Sequence, residues 1–187
     1  NQILQPVCDV LAEAHSQGLI HRDIKPENVF LHRAARDEVV KVLDFGIAKL
    51  VGEATVQENL TAEGWILGTP AYIAPERLAN GHYDGRSDVY SLGVMMFEML
   101  TGRRAFRTLN SDPMSLISQQ ISKPPPSMRT IYPELAPELE TPVMQALAKD
   151  PEQRPTARGF ARAVERALEE STRTATIAID PPSSPSI

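Results

Sequence analysis

Along the first seventeen residues, Ile3, Leu4, Val7, Val10, Leu11 and Ala14 recur at helical spacing, and Gly18 stops the pattern as a C-cap residue would. A polar stretch follows, then two short apolar runs. Val29-Phe30-Leu31 reads as a buried strand, and Val39 to Leu43 reads as a second one. The polar turn His32 to Glu38 between them predicts a hairpin. Lys49 to Leu67 has no sustained period and reads as a long loop, with Trp65, Ile66 and Leu67 available to anchor it. Pro70 and Pro75 then fix the chain direction. Ser87 to Leu100 is apolar on nearly every face, which predicts a helix in the centre of a domain. Ser87 is the expected N-cap, with Asp88 in the first turn, and Thr101-Gly102 closes the helix. Met95, Met96 and Met99 read as core filler. Further helices are predicted over Pro113 to Ile121, Thr141 to Ala148 and Thr156 to Leu168. Pro124-Pro125-Pro126 is a rigid spacer between the first two. Past Glu170 the composition turns to Ser, Thr, Pro and small residues, so 171–187 reads as a disordered tail or linker.

Composition narrows the class. The chain has 187 residues, 42% of them hydrophobic, which suffices for one domain with a substantial core. A net charge of −5 and a pI of about 5.4, with no long basic run, argue against a nucleic-acid surface. No stretch approaches the roughly 20 apolar residues of a membrane span, and no secretory signal is visible. The lone cysteine, Cys8, excludes an internal disulfide and sits among apolar helical positions, so it reads as a buried structural thiol. These signs together predict a cytoplasmic protein, or one at the cytoplasmic face of a membrane within a longer chain. The chain opens with Asn1 in mid-helix pattern, as a fragment of something longer would.

The densest chemistry lies in His21-Arg22-Asp23-Ile24-Lys25-Pro26-Glu27-Asn28. Pro26 keeps the run from being ordinary helix, so its polar groups sit on a loop between helix and strand. Asp23 could accept a proton, Lys25 could neutralise an oxyanion, and the Asn28 carbonyl oxygen could ligate a hard cation. The alternative is a surface turn, since Asp, Lys, Pro and Asn all favour turns. Asp44-Phe45-Gly46 follows the second strand. An Asp at a strand end can hold a divalent cation, while Gly lets the backbone turn sharply; taken as three letters alone, a plain strand-terminating turn is the favoured alternative. Asn28 and Asp44, brought together by a hairpin, suit a Mg²⁺ that keeps water and phosphate oxygens as its other ligands.

Taken in order, these motifs resemble the C-terminal lobe of eukaryotic-type Ser/Thr protein kinases over about residues 1–170, and in style the bacterial members. His21-Arg22-Asp23 with Asn28 matches the catalytic loop, Asp44-Phe45-Gly46 the metal-binding motif and Ala74-Pro75-Glu76 the end of the activation segment. The resemblance implies an α+β protein kinase-like fold, present here as the mainly α-helical lobe with a short β-hairpin at the active site. It implies transfer of the ATP γ-phosphoryl group to Ser/Thr hydroxyls of protein substrates, with ATP and Mg²⁺ as cofactors. Asp23 would orient the hydroxyl and accept its proton, and Lys25 would stabilise phosphate charge. Asn28 and Asp44 would bind Mg²⁺, and Phe30 would line the floor of the adenine pocket. Thr69 would brace the loop through Asp23 and Lys25. Arg22 beside Asp23 implies an activation loop ordered by phosphorylation, with Thr55 and Thr61 as candidate acceptors. Glu76 and Arg154 match a buried ion pair, and Asp88 the acid that braces the catalytic-loop backbone. The turn at His32 to Glu38 and the activation segment are somewhat longer than the family pattern.

The family's Gly-rich phosphate loop, strand lysine and partner glutamate do not occur in these residues. They belong to an N-lobe upstream of Asn1. The expectation is therefore a kinase catalytic lobe inactive by itself. The rival expectation is a pseudokinase or truncated scaffold that binds protein partners without catalysis.

Overall fold

The structure, a computed structural model, describes residues 2–33, 38–45, 70–79, 81–108 and 112–179. In chain order it contains α1 (Leu4–Ser16), β1 (Val29–Arg33), β2 (Glu38–Val42), α2 (Pro75–Leu78), α3 (Arg86–Thr101), α4 (Pro113–Ser122), α5 (Pro137–Ala146) and α6 (Ala157–Ile179). Four-helix packing of α1, α3, α5 and α6 makes the body, with the antiparallel β1–β2 hairpin beside α1. Among the described residues, no helix is long and apolar enough to cross a membrane.

α1 buries Leu4, Val7, Cys8, Leu11 and Ala14, as its periodicity predicts, and Gly18 at φ 73° reverses the chain. Burial pushes the Cys8 thiol up to about 12, with Asp9 adding to the shift, so it stays protonated and serves as core. α3 is the centre. Every residue from Ser87 to Phe97 is buried, matching a helix apolar on all faces. Gly102 at φ 67° caps its end. Two details of this helix differ from expectation. Ser87 is not its cap: the turn at Asp84 satisfies the first amides, with Oδ1 accepting from Arg86 N–H at 2.8 Å. Met99 is 55% exposed, on the side of the helix away from the core against which neighbouring Leu100 packs; Met95 and Met96 do fill the core.

The hairpin is less buried than its apolar run suggests. Strand neighbours point to opposite faces. Val29, Val40 and Val42 pack on the core, whereas Phe30 and Val39 face outward. A two-stranded ribbon covers only one face, so Phe30 is 51% exposed. α5 begins at Pro137, ahead of the expected Thr141, because Pro137 suits the first helical turn and Pro142 is tolerated further in. α6 runs to Ile179, beyond the expected end at Leu168 and into the stretch read as a tail. Residues 171–179 hold no Gly or Pro, and Thr172 and Thr174 donate their hydroxyls back to the helix carbonyls of Leu168 and Glu170. Residues 180–187 lie outside the described residues.

One ion pair ties the lobe together. Arg154, in the loop before α6, has a fully buried side chain whose five N–H groups all find acceptors. Nη1 and Nη2 each donate to a Glu76 carboxylate oxygen at 2.8 Å. Nε reaches Ala148 O at 2.7 Å, and the remaining two reach Lys149 O and Arg86 O. The guanidinium also lies 4.8 Å from the Tyr90 ring centre. Glu76 takes a further bond from Ser87 Oγ at 2.7 Å. Burial works against the Glu76 charge, but these hydrogen bonds prevail and hold its carboxyl below the ordinary range.

Two outcomes are expected. A Cβ at Gly93 would stand 2.9 Å from Ala146 Cβ, so Gly93→Val should cost about 1–3 kcal/mol by overpacking α3 against α5, read as a lower urea midpoint. Arg154→Met leaves Glu76 buried without its cation and should cost about 3–5 kcal/mol at pH 7. The Glu76 contribution is complete above the ordinary carboxyl range and is lost as pH falls through its lowered value. In the variant, burial penalises the charged form of Glu76 with only the Ser87 and backbone hydrogen bonds left to oppose it. The gap between wild type and variant should therefore be wider at pH 7 than at pH 4, measured by urea unfolding at both.

Candidate active site

The loop after α1 owes its shape to a buried anion. Asp88, 1% exposed in the first turn of α3, accepts the backbone N–H of His21 on Oδ2 at 2.8 Å and that of Arg22 on Oδ1 at 2.9 Å. Arg22 adopts φ 70°, a left-handed conformation that costs a residue with a side chain roughly 1–2 kcal/mol. Arg77 of α2 donates through Nη1 to the Arg22 carbonyl oxygen. The strained residue is thus held at its amide and its carbonyl.

His21 is completely buried and joins this loop to the hairpin. Its Nε2 lies 2.9 Å from Leu43 O, and its Nδ1 is 3.3 Å from the Asp23 amide nitrogen. A carbonyl can only accept and an amide N–H can only donate, so Nε2 carries the proton and Nδ1 is bare. Burial lowers the His21 pKa, opposed by the Leu43 carbonyl and nearby carboxylates, in keeping with this neutral form. Its ring packs 4.6 Å from Phe45 at 52°. Leu43 N–H donates to Asn28 O at 2.9 Å, so the end of β2 is fastened to the catalytic-loop motif from two sides. Asp44 follows at φ 56°, a second left-handed residue.

On this frame three side chains converge. Lys25 Nζ donates to Asp23 Oδ2 at 2.9 Å. Asn28, 6% exposed, donates through Nδ2 to Asp23 O at 2.8 Å and to Asp23 Oδ2 at 3.1 Å. With its amide hydrogens directed at Asp23, the Asn28 side chain offers its carbonyl oxygen as the remaining ligand atom. That donor set fits a hard cation which takes few protein oxygens and completes its shell with phosphate and water. Among the described residues no three His, Cys, Asp or Glu side chains cluster as a metal cage. The Asp23–Lys25 pair, about a quarter exposed on each side, contributes little to stability and acts by orientation.

Several expected site residues are placed and others are not described. Asp23, Lys25 and Asn28 share one carboxylate oxygen, Asp44 and Phe45 adjoin them through His21, and Phe30 sits one residue into the hairpin. Glu76, Asp88 and Arg154 occupy the buried positions described above. Gly46, Thr55, Thr61 and Thr69 lie outside the described residues. Three contributors were missed in the sequence. His15 bonds Asp88, Gly85 lies against His15, and Arg77 holds the Arg22 carbonyl. Each acts through a contact distant in sequence and carries no motif. The only hint was the helical position of His15 on the buried side of α1.

Residues 1–165 match the protein kinase domain family. The chain is 44% identical over 155 residues to the serine/threonine-protein kinase Pkn1 of Myxococcus xanthus, covering 81% of this chain and 21% of that protein. It is 42% identical over 158 residues to the serine/threonine-protein kinase PknJ of Mycobacterium tuberculosis, covering 84% and 26%. The chain therefore spans about a fifth to a quarter of these relatives. Its fold matches crystal structures of the Mycobacterium tuberculosis PknI kinase domain with a TM-score of 0.62 and 28% identity, over 89% of this chain and 53% of that one. Family, relatives and fold agree with the loop geometry: the chain belongs to the protein kinase domain family, among the bacterial serine/threonine kinases.

Proposed function

We propose that the protein transfers the γ-phosphoryl group of ATP to Ser/Thr hydroxyls of protein substrates, and that this chain is the lobe carrying the catalytic loop. The observation that carries the reading is the convergence of Lys25 Nζ and Asn28 Nδ2 on Asp23 Oδ2, at 2.9 and 3.1 Å. Those bonds orient the carboxylate. Asp23 takes the substrate hydroxyl as a donor and receives its proton. Lys25 places a positive charge beside the same point, where the transferring group carries negative charge. Asn28, through its carbonyl oxygen, and Asp44, through its carboxylate, hold Mg²⁺. The ion, when bound, neutralises phosphate oxygens of the nucleotide. Phe30 offers an apolar surface to the adenine ring from the outward face of the hairpin.

Arg22 supports control by phosphorylation. Its guanidinium lies 5.5 Å from the Tyr83 ring centre, and its Nε is buried with no hydrogen-bond partner among the described residues. A phosphate on Thr55 or Thr61 is the anion the reading assigns to it, and Thr69 is the brace it assigns to Asp23 and Lys25. The lone thiol and the need for ATP support a reaction in the cytoplasm or at the cytoplasmic face of a membrane. The pseudokinase or scaffold reading draws on one observation, the uncovered outer face of the hairpin at Phe30. It becomes the better account if Mg-ATP and the whole protein yield no phosphoprotein.

In the whole protein, Asp23→Asn should lower phosphate incorporation into a Ser/Thr peptide by at least about a hundredfold while ATP affinity changes little. Radiolabelled ATP and calorimetry measure the two, and undiminished incorporation would sink the assignment of Asp23. Residues 1–187 alone contain neither a Gly-rich phosphate loop nor a strand lysine. They should bind Mg-ATP weakly and turn it over negligibly. Robust phosphorylation by this piece, abolished by Asp23→Asn, would overturn that expectation.

A further inference from the structure

Gly85 has an ordinary backbone, φ −59° and ψ −16°, so glycine is not required there for conformational freedom. It is required for space. A Cβ at this position would lie 2.4 Å from Nδ1 of His15, 2.6 Å from its Cγ and 2.7 Å from its Cε1. The histidine ring therefore lies flush against the bare Cα at the start of α3. From there His15, in the last turn of α1, places Nε2 2.8 Å from Asp88 Oδ2. Because a carboxylate only accepts, Nε2 is the donor.

The bond matters because of what else Asp88 holds. Oδ2 also accepts His21 N–H, and Oδ1 accepts Arg22 N–H, the amide of the left-handed residue directly before Asp23. Without His15, the hydrogen-bond donors left on the carboxylate among the described residues are the loop amides it is meant to brace, and a buried anion loses a donor. The Arg77 guanidinium acts on Asp88 only through space. His15 comes from a different helix and fixes the carboxylate independently of the loop.

We infer that His15 is a positioning residue for phosphoryl transfer, locking the Asp88 carboxylate so that His21 and Arg22 set Asp23 in place, and that residue 85 is glycine to admit the His15 ring. The inference rests on the kinase reading above, since the loop it positions is the proposed catalytic loop.

The test uses the whole protein and four variants, assayed well below their unfolding temperatures. His15→Ala should lower kcat on the order of tenfold with KM for ATP and peptide nearly unchanged, the signature of a misplaced group in the reacting complex. His15→Gln, whose Nε2–H can reach the same oxygen, should restore most of the rate. Gly85→Ala should reproduce the His15→Ala loss by expelling the ring, and His15→Ala/Gly85→Ala should be no worse than either single variant. A wild-type kcat in His15→Ala, failure of Gln to rescue, or losses that multiply in the double variant would each overturn the inference. Hydrogen exchange resolved to single amides supplies a readout independent of activity. In Gly85→Ala the His21 and Arg22 amides should exchange faster while core amides of α3 stay protected. If the wild type proves inactive, the kinase reading fails, and the exchange data still decide: unchanged protection at His21 and Arg22 would refute the bracing role.

Discussion

A left-handed arginine beside the proposed proton acceptor is the constraint around which the lobe is built. Arg22 cannot stay at φ 70° unless its neighbours hold it there. Its amide is held by Asp88 and its carbonyl by Arg77, so two helices that begin well downstream in the chain determine where Asp23 points. The strain costs little relative to what fixes it. Asp88 is anchored in the most buried helix of the chain, and α3 cannot move without opening the core. The position of the carboxylate is therefore as rigid as the packing beneath it.

The second fixed point lies at the hairpin. His21 contributes both ring nitrogens, one to the Asp23 amide and the other to Leu43 O, so the proposed proton acceptor and the proposed metal-binding strand end are joined through one neutral ring. A charged imidazole could not accept the Asp23 N–H. Burial, which lowers the His21 pKa, thus maintains the bonding pattern as well as the packing. Glu76 and Arg154 play the corresponding part on the other side, tying α2 to the loops before α6 and to the start of α3. The pair is expensive to desolvate, and its full set of hydrogen bonds is what makes burial tolerable.

Much of this was legible in the residues because the signals were local. The periodicity of α1, the all-round apolar run of α3 and the stops at Gly18 and Gly102 each depend on neighbours within a turn or two, and the structure places them as read. The loop motif and the family followed from short ordered patterns. Features set by long-range contact were not legible. Ser87 looks like a helix cap and is instead a donor to Glu76, because the turn at Asp84 had already satisfied the amides it would have served. Phe30 belongs to an apolar run yet faces outward, because a two-stranded ribbon has one core-facing side. Arg77 follows a recognisable tripeptide but has no motif value of its own until the fold brings it to the Arg22 carbonyl.

Burial divides the polar residues into two kinds. His21, Asp88 and Arg154 are almost fully enclosed, and their hydrogen bonds end on backbone or on the side chains of His15 and Glu76. Asp23 and Lys25 keep about a quarter of their side chains exposed. An enclosed charge must be paired where it sits, so it can set geometry but cannot meet a substrate. A partly exposed one retains capacity for a new bond. The transition between the two kinds occurs within the three residues His21 to Asp23. The chain passes there from anchor to proposed proton acceptor with a single strained residue between them, and any slack at Asp88 would be delivered directly to the Asp23 carboxylate.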